Sequence, residues 1–148
     1  MKKQLSRALL GLAAALLLLT AGAGAQVLRG VVVRVPFDFV AGGKRMPAGR
    51  YTVRPARSDA ETALVIRGED GRTAAVFLTN TGGPEPRGAA LVFRQHGDSY
   101  FLAEVSMPGA ASVRELPKSG AERRLEREVA EKNEGGESKT VIVAGSVQ

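Results

Sequence analysis

The chain contains no cysteine and no tryptophan, and its 148 residues include a single histidine, His96. The missing thiols exclude a disulfide framework, a cysteine nucleophile and thiolate metal sites. One imidazole leaves little from which to assemble a catalytic triad or a zinc centre. Aromatic side chains are scarce, five Phe and two Tyr, which is poor material for the base-stacking platforms of a single-strand nucleic-acid binder. Beyond the first 25 residues no apolar run approaches the length of a membrane-spanning helix.

The N-terminus has its own grammar. Lys2, Lys3 and Arg7 precede residues 8–19, which are almost unbroken Ala and Leu, and residues 20–25 are small. That is the order of a secretory signal peptide. The apolar run is shorter than the roughly 20 residues needed to span a bilayer. Residues 1–25 are therefore expected to be a signal peptide cleaved after Ala25, with Ala21-Gly22-Ala23 as the second-choice site. Residues 26–148 are then a single β-rich domain, periplasmic or extracellular, with no transmembrane anchor once the signal is removed. Cleavage takes three cations, so 21 basic against 15 acidic residues becomes 18 against 15, and the net charge falls from +6 to +3.

Residues 26–148 hold 16 Val against 7 Leu, and 22 Gly and Pro spaced as punctuation. β-Branched residues fit a pleated surface better than a helix. Val31, Val33, Val35, Phe37 and Phe39 recur at period two, the clearest strand signal in the chain. Pro36 cannot donate to a ladder, so this strand lies at an edge or bends there. Gly42-Gly43 and Pro47-Ala48-Gly49 read as turns around a strand at residues 51–54. Residues 63–67 and 72–78 read as a hairpin about Gly68-Glu69-Asp70-Gly71, residues 80–88 as a long loop, and residues 89–95 and 99–107 as a second hairpin about His96-Gly97-Asp98.

Composition then changes. Ser119 and Glu122 have capping-box spacing, opening a charged helix at residues 119–133 with a narrow apolar stripe of Ala121, Leu125 and Val129. Residues 140–144 read as a final strand. The fold class is mainly β: an antiparallel β-sandwich or small open barrel of about seven strands with one C-terminal helix.

Three segments together resemble a known family. They are Val35-Pro36-Phe37-Asp38-Phe39-Val40 leading to Met46-Pro47-Ala48-Gly49-Arg50-Tyr51-Thr52-Val53; Leu91-Val92-Phe93 with His96-Gly97-Asp98-Ser99-Tyr100-Phe101-Leu102-Ala103-Glu104-Val105; and Arg114-Glu115-Leu116-Pro117-Lys118-Ser119 into Ala121-Glu122-Arg123. This looks like the small secreted proteins of unknown function abundant in acidobacterial-type soil bacteria, over residues 31–143. The resemblance implies export and a β-rich fold with a C-terminal helix, and no activity.

Each chemical constellation has a plainer alternative. His96 with Asp98 and Ser99 reads as a turn, with Gly97 supplying positive φ and Asp98 capping, rather than as a triad. Asp38 and Glu104 form the one carboxylate pair worth weighing for glycoside hydrolysis; the simpler reading is a pair of bonded carboxylates. Gly42-Gly43-Lys44 and residues 68–71 lack the phosphate-loop pattern, and Asp59 with Glu61 lacks a calcium-loop run. Between residues 26 and 60 seven Lys/Arg face two acids; the cations Arg34, Lys44, Arg45, Arg50, Arg54 and Arg57 form a solvated strand face or a surface for anionic envelope polymers or headgroups.

The expectation is an exported non-enzymatic protein that binds or scaffolds a cell-envelope component, polymer or protein, with no catalytic residue, cofactor, metal or nucleic-acid partner. Two alternatives stand beside it. One is a protein–protein module using the C-terminal helix and an open edge of the first strand. The other is a hydrolase using Asp38 and Glu104.

Overall fold

The computed structural model describes residues 30–57, 62–83, 88–110, 112–132 and 138–147. The expected signal peptide at residues 1–25, Asp59 with Glu61, Pro84 with Pro86, and Asn133 with Gly135-Gly136 lie outside the described residues. The elements run β1 (Val31–Val35), β2 (Phe39–Ala41), β3 (Lys44–Met46), β4 (Gly49–Pro55), β5 (Ala63–Gly68), β6 (Ala74–Leu78), β7 (Asn80–Thr81), β8 (Ala90–His96), β9 (Ser99–Ser106), β10 (Arg114–Glu115), α1 (Gly120–Lys132) and β11 (Lys139–Val147).

The protein is mainly β with one helix near the C-terminus, and the sheet is a nearly closed barrel rather than a sandwich of seven strands. Nine strands follow one another in the order β3-β2-β9-β8-β11-β1-β4-β5-β6. The two ends of that path meet. Only Thr79 separates β6 from β7; β7 pairs with β10, and β10 with β9. Beside them the β2–β3 turn lies against Phe77, and Lys44 Nζ donates to the Ala74 carbonyl at 2.6 Å. Closure removes most of the unpaired backbone that an open sheet would leave at its edges.

The period-two pattern of the first strand holds its phase across the proline. Val31, Val33 and Val35 face the core from β1, Phe39 does so from β2, and Pro36 marks the bend that carries the chain from one half of the barrel to the other. Met46, Tyr51, Val53, Leu64, Ile66, Phe77, Leu91, Phe93, Leu102 and Val105 fill the rest of the interior. Phe39 meets Tyr51 and Phe93 edge-on at 5.2 and 5.3 Å, while Phe37 stacks on Tyr100 at 3.9 Å. Five of the seven aromatic rings are thus joined in one packed group, and an aromatic ring buries more apolar area than a valine can.

Two expectations are corrected. The first strand is not an edge strand, because β1 is paired on one side with β4 and, through Val31–Val33, on the other with β11. The final strand also runs beyond the expected residues 140–144. β11 runs from Lys139 to Val147, pairs with β8 through residues 139–144 and with β1 through residues 145–147, and so joins the two halves of the barrel. Gly145 is where it changes partner. A Cβ there would lie 2.5 Å from Val33 Cγ2 and 2.7 Å from the Val32 carbonyl oxygen. The side chain could swing away, but the backbone oxygen is held in the β1 ladder. Gly145→Ala is therefore expected to cost about 3 kcal/mol, the upper part of the overpacking range. Urea unfolding checks this; an unchanged midpoint would mean that β11 and β1 are not so close.

Candidate functional site

Three places carry polar chemistry: a buried cluster beneath α1, a cleft at one end of the barrel, and the outer face of β1, β4 and β5.

In β8, Leu91 and Phe93 point into the barrel, so alternation sends Arg94 and His96 outward. α1 crosses this outer face. Ser119 caps it as the sequence suggests, its Oγ accepting from Glu122 N at 3.1 Å. The reciprocal half of the capping box does not form. The Glu122 side chain turns to the sheet and is only 2% exposed. Its Oε1 accepts from Arg94 Nε at 2.6 Å and Oε2 from Arg94 Nη2 at 3.3 Å; His96 Nε2 lies 3.4 Å from Oε1. Arg94 Nη2 also donates to the Leu116 carbonyl at 3.2 Å. The His96 ring meets Phe101 edge-on at 5.8 Å. His96 is thus the last residue of β8 and a buried partner of Glu122 rather than a turn residue, while Gly97 beside it adopts the expected positive φ, 58°. Both Glu122 oxygens are engaged by a guanidinium, which holds the carboxylate as an anchor rather than freeing it as a general base. One turn further on, Lys118 Nζ bonds Glu126 Oε1 at 2.6 Å and keeps that carboxyl below its usual range.

The cleft holds ≈ 180 Å³ and is lined by Asp38, Arg45, Asp98, Ser99 and Tyr100 with Phe39 and Val40. His96 and Ser99 are strand partners, yet they do not act together as a triad would: Asp98 and Ser99 line the cleft, while the His96 ring meets Glu122 under the helix. Asp38 accepts from the Ala48 amide at 2.8 Å, closing the base of the β2–β3 hairpin. The parallel pairing of Val40 with Phe101 sets Asp38 beside the start of β9. Glu104 lies several residues along that strand, opposite Val92 and Glu115. At about 3.3 Å per residue the two carboxylates are roughly 15 Å apart, beyond the roughly 5–10 Å that glycoside hydrolysis requires. Among the described residues no three His, Asp or Glu side chains converge as metal ligands would.

The third place is built by register. Arg34 on β1 pairs directly with Arg50 on β4, and Arg50 precedes Tyr51, whose partner on β5 is Gly68. Arg67 lies opposite Thr52, and Arg54 opposite Val65. Paired residues of antiparallel strands share a face, so Arg34, Arg50, Arg54 and Arg67 stand together, all exposed. Among the described residues one carboxylate answers them: Glu69, 3.9 Å from Arg50 with both side chains more than half exposed. Exposed pairing of this kind contributes little, and like charges directly opposite, as Arg34 and Arg50 are, oppose folding. Arg50 and Arg54, like Arg34, are among the cations that the sequence shows between residues 26 and 60. What brings Arg34 and Arg67 beside them is strand pairing, which no local pattern reveals.

Among the described residues no helix is long and apolar enough to cross a membrane. No family model, curated protein or solved structure matches the chain.

Proposed function

We propose that the chain is an exported, non-enzymatic binding module for an anionic component of the cell envelope. The observation that carries this reading is the row of four arginines on one outer face, with Arg34 set directly opposite Arg50. A face that opposes folding by self-repulsion gains when phosphate or carboxylate groups settle between its guanidiniums, which match such groups bidentately. The non-enzymatic part rests on three placements. Glu122 is held by Arg94, His96 meets Glu122 rather than the hydroxyl of Ser99, its strand partner, and Asp38 is far from Glu104. Export rests on the order of charge and hydrophobicity in residues 1–25.

Titration with soluble polyphosphate tests the reading. Binding is expected to weaken steeply between low and physiological salt, and Arg34→Glu with Arg50→Glu to reduce it at least tenfold. The reduction follows from replacing two attractions with two repulsions. Polyphosphate binding that ignores both salt and the double substitution would sink the proposal.

A further inference from the structure

We infer that the anionic partner is a phospholipid bilayer, met by the arginine face with Val76 and Leu78 entering the headgroup region. This inference rests on the reading above and narrows it.

The argument is one of adjacency. β6 borders β5 with Val76 opposite Val65 and Leu78 opposite Ala63. Val65 in turn lies opposite Arg54. Val76 therefore stands on the same outer face as Arg54, two strands away, about 10 Å at the usual strand spacing. Arg67 lies opposite Ala74, two residues before Val76. Val76 is 65% exposed and Leu78 69%, and the half-buried Val65 and Ala63 extend the apolar ground between them and Arg54.

A folded polysaccharide or polyphosphate chain would use the cations and leave the two aliphatic side chains in water. A bilayer surface uses both: phosphates for the guanidiniums, and the acyl boundary for Val76 and Leu78. The arginines suit this role because their stems can lie along apolar surface while the heads reach phosphate. Among the described residues Glu69 is the one acid paired on this face, and it sits at the Arg50 end, remote from Val76. The apolar pair and Arg54 with Arg67 thus form the leading corner.

Sedimentation with lipid vesicles provides the test. The purified protein is expected to partition onto phosphatidylcholine vesicles containing about one-third phosphatidylglycerol and not onto phosphatidylcholine alone. Removing one arginine near the surface should weaken partitioning about fivefold, so Arg54→Gln with Arg67→Gln should weaken it about 25-fold. Arg54→Lys with Arg67→Lys should leave most of it. Val76→Ser with Leu78→Ser should weaken partitioning about tenfold or more, while binding of soluble polyphosphate stays unchanged. All four positions are exposed or outward-facing, and a thermal melt of each variant verifies the fold. Unchanged vesicle binding by the Val76/Leu78 variant overturns the bilayer inference. So does binding of polyphosphate without binding of vesicles, which leaves the broader proposal standing. Binding of neither overturns both.

Discussion

A chain ended before residue 138 is expected to lose its cooperative unfolding transition altogether, although it keeps ten of the eleven strands. The reason lies in where β11 goes. It is the central seam, with β8 on one side and β1 on the other. Its removal opens two long edges at once and takes Val141 and Val143 from the margin of the core. Six residue positions pair with β8 and three with β1. At about 1 kcal/mol net for each ladder hydrogen bond, the loss approaches the whole stability of a small domain, about 5–15 kcal/mol. Far-ultraviolet circular dichroism and an amide correlation spectrum measure the outcome. A synthetic peptide of residues 138–147 added in trans is expected to restore dispersed amide signals. A truncated chain that still melts cooperatively would show that β8 and β1 can pair without β11, and the proposed seam would be wrong.

That seam also marks how far one sequence can be read. The alternation of Val31, Val33, Val35, Phe37 and Phe39 names the core side of β1 and β2 directly, because period-two burial is a local property. The Ser119 cap is local too. By contrast β7 and β10 contain two residues each, which is too few to hold any period; they are strands only because Arg114 finds Thr81 and Val105. β3 hides for a related reason. Lys44 and Arg45 are exposed between Gly42-Gly43 and Pro47, and charge flanked by turn residues reads as loop. Residues 140–144 read as a strand, yet their destination between β8 and β1 depends on pairings more than forty residues away. The candidate site divides in the same way. Surplus cations were countable, whereas their assembly on one face depends on the β1–β4–β5 register.

Glu122→Ala is the single substitution expected to cost most. Removing one partner of a buried ion pair leaves the other charged and unsatisfied, at a cost of about 3–5 kcal/mol; here Arg94, whose side chain is 16% exposed, would be left. For a domain of this size that is roughly a 10–20 °C fall in melting temperature. Glu122→Gln should recover only part, because the amide retains a hydrogen bond but not the charge. Replacing Arg94 and Glu122 together by leucine should recover more, since an apolar pair leaves neither a cation nor a carboxylate stranded. The same change asks what fastens α1. Leu125 and Val129 are only half-buried, and a helix of 13 residues is marginal on its own. Docking therefore depends chiefly on Glu122. In Glu122→Ala, hydrogen exchange should show α1 amides losing protection while β4 and β5 amides keep theirs. Detachment would let Arg94 and His96 rehydrate, which places the expected cost nearer 3 than 5 kcal/mol. If α1 stays protected and the melt shifts by less than about 1 kcal/mol, the helix is held by Leu125 and Val129 after all, and the buried carboxylate is not its anchor.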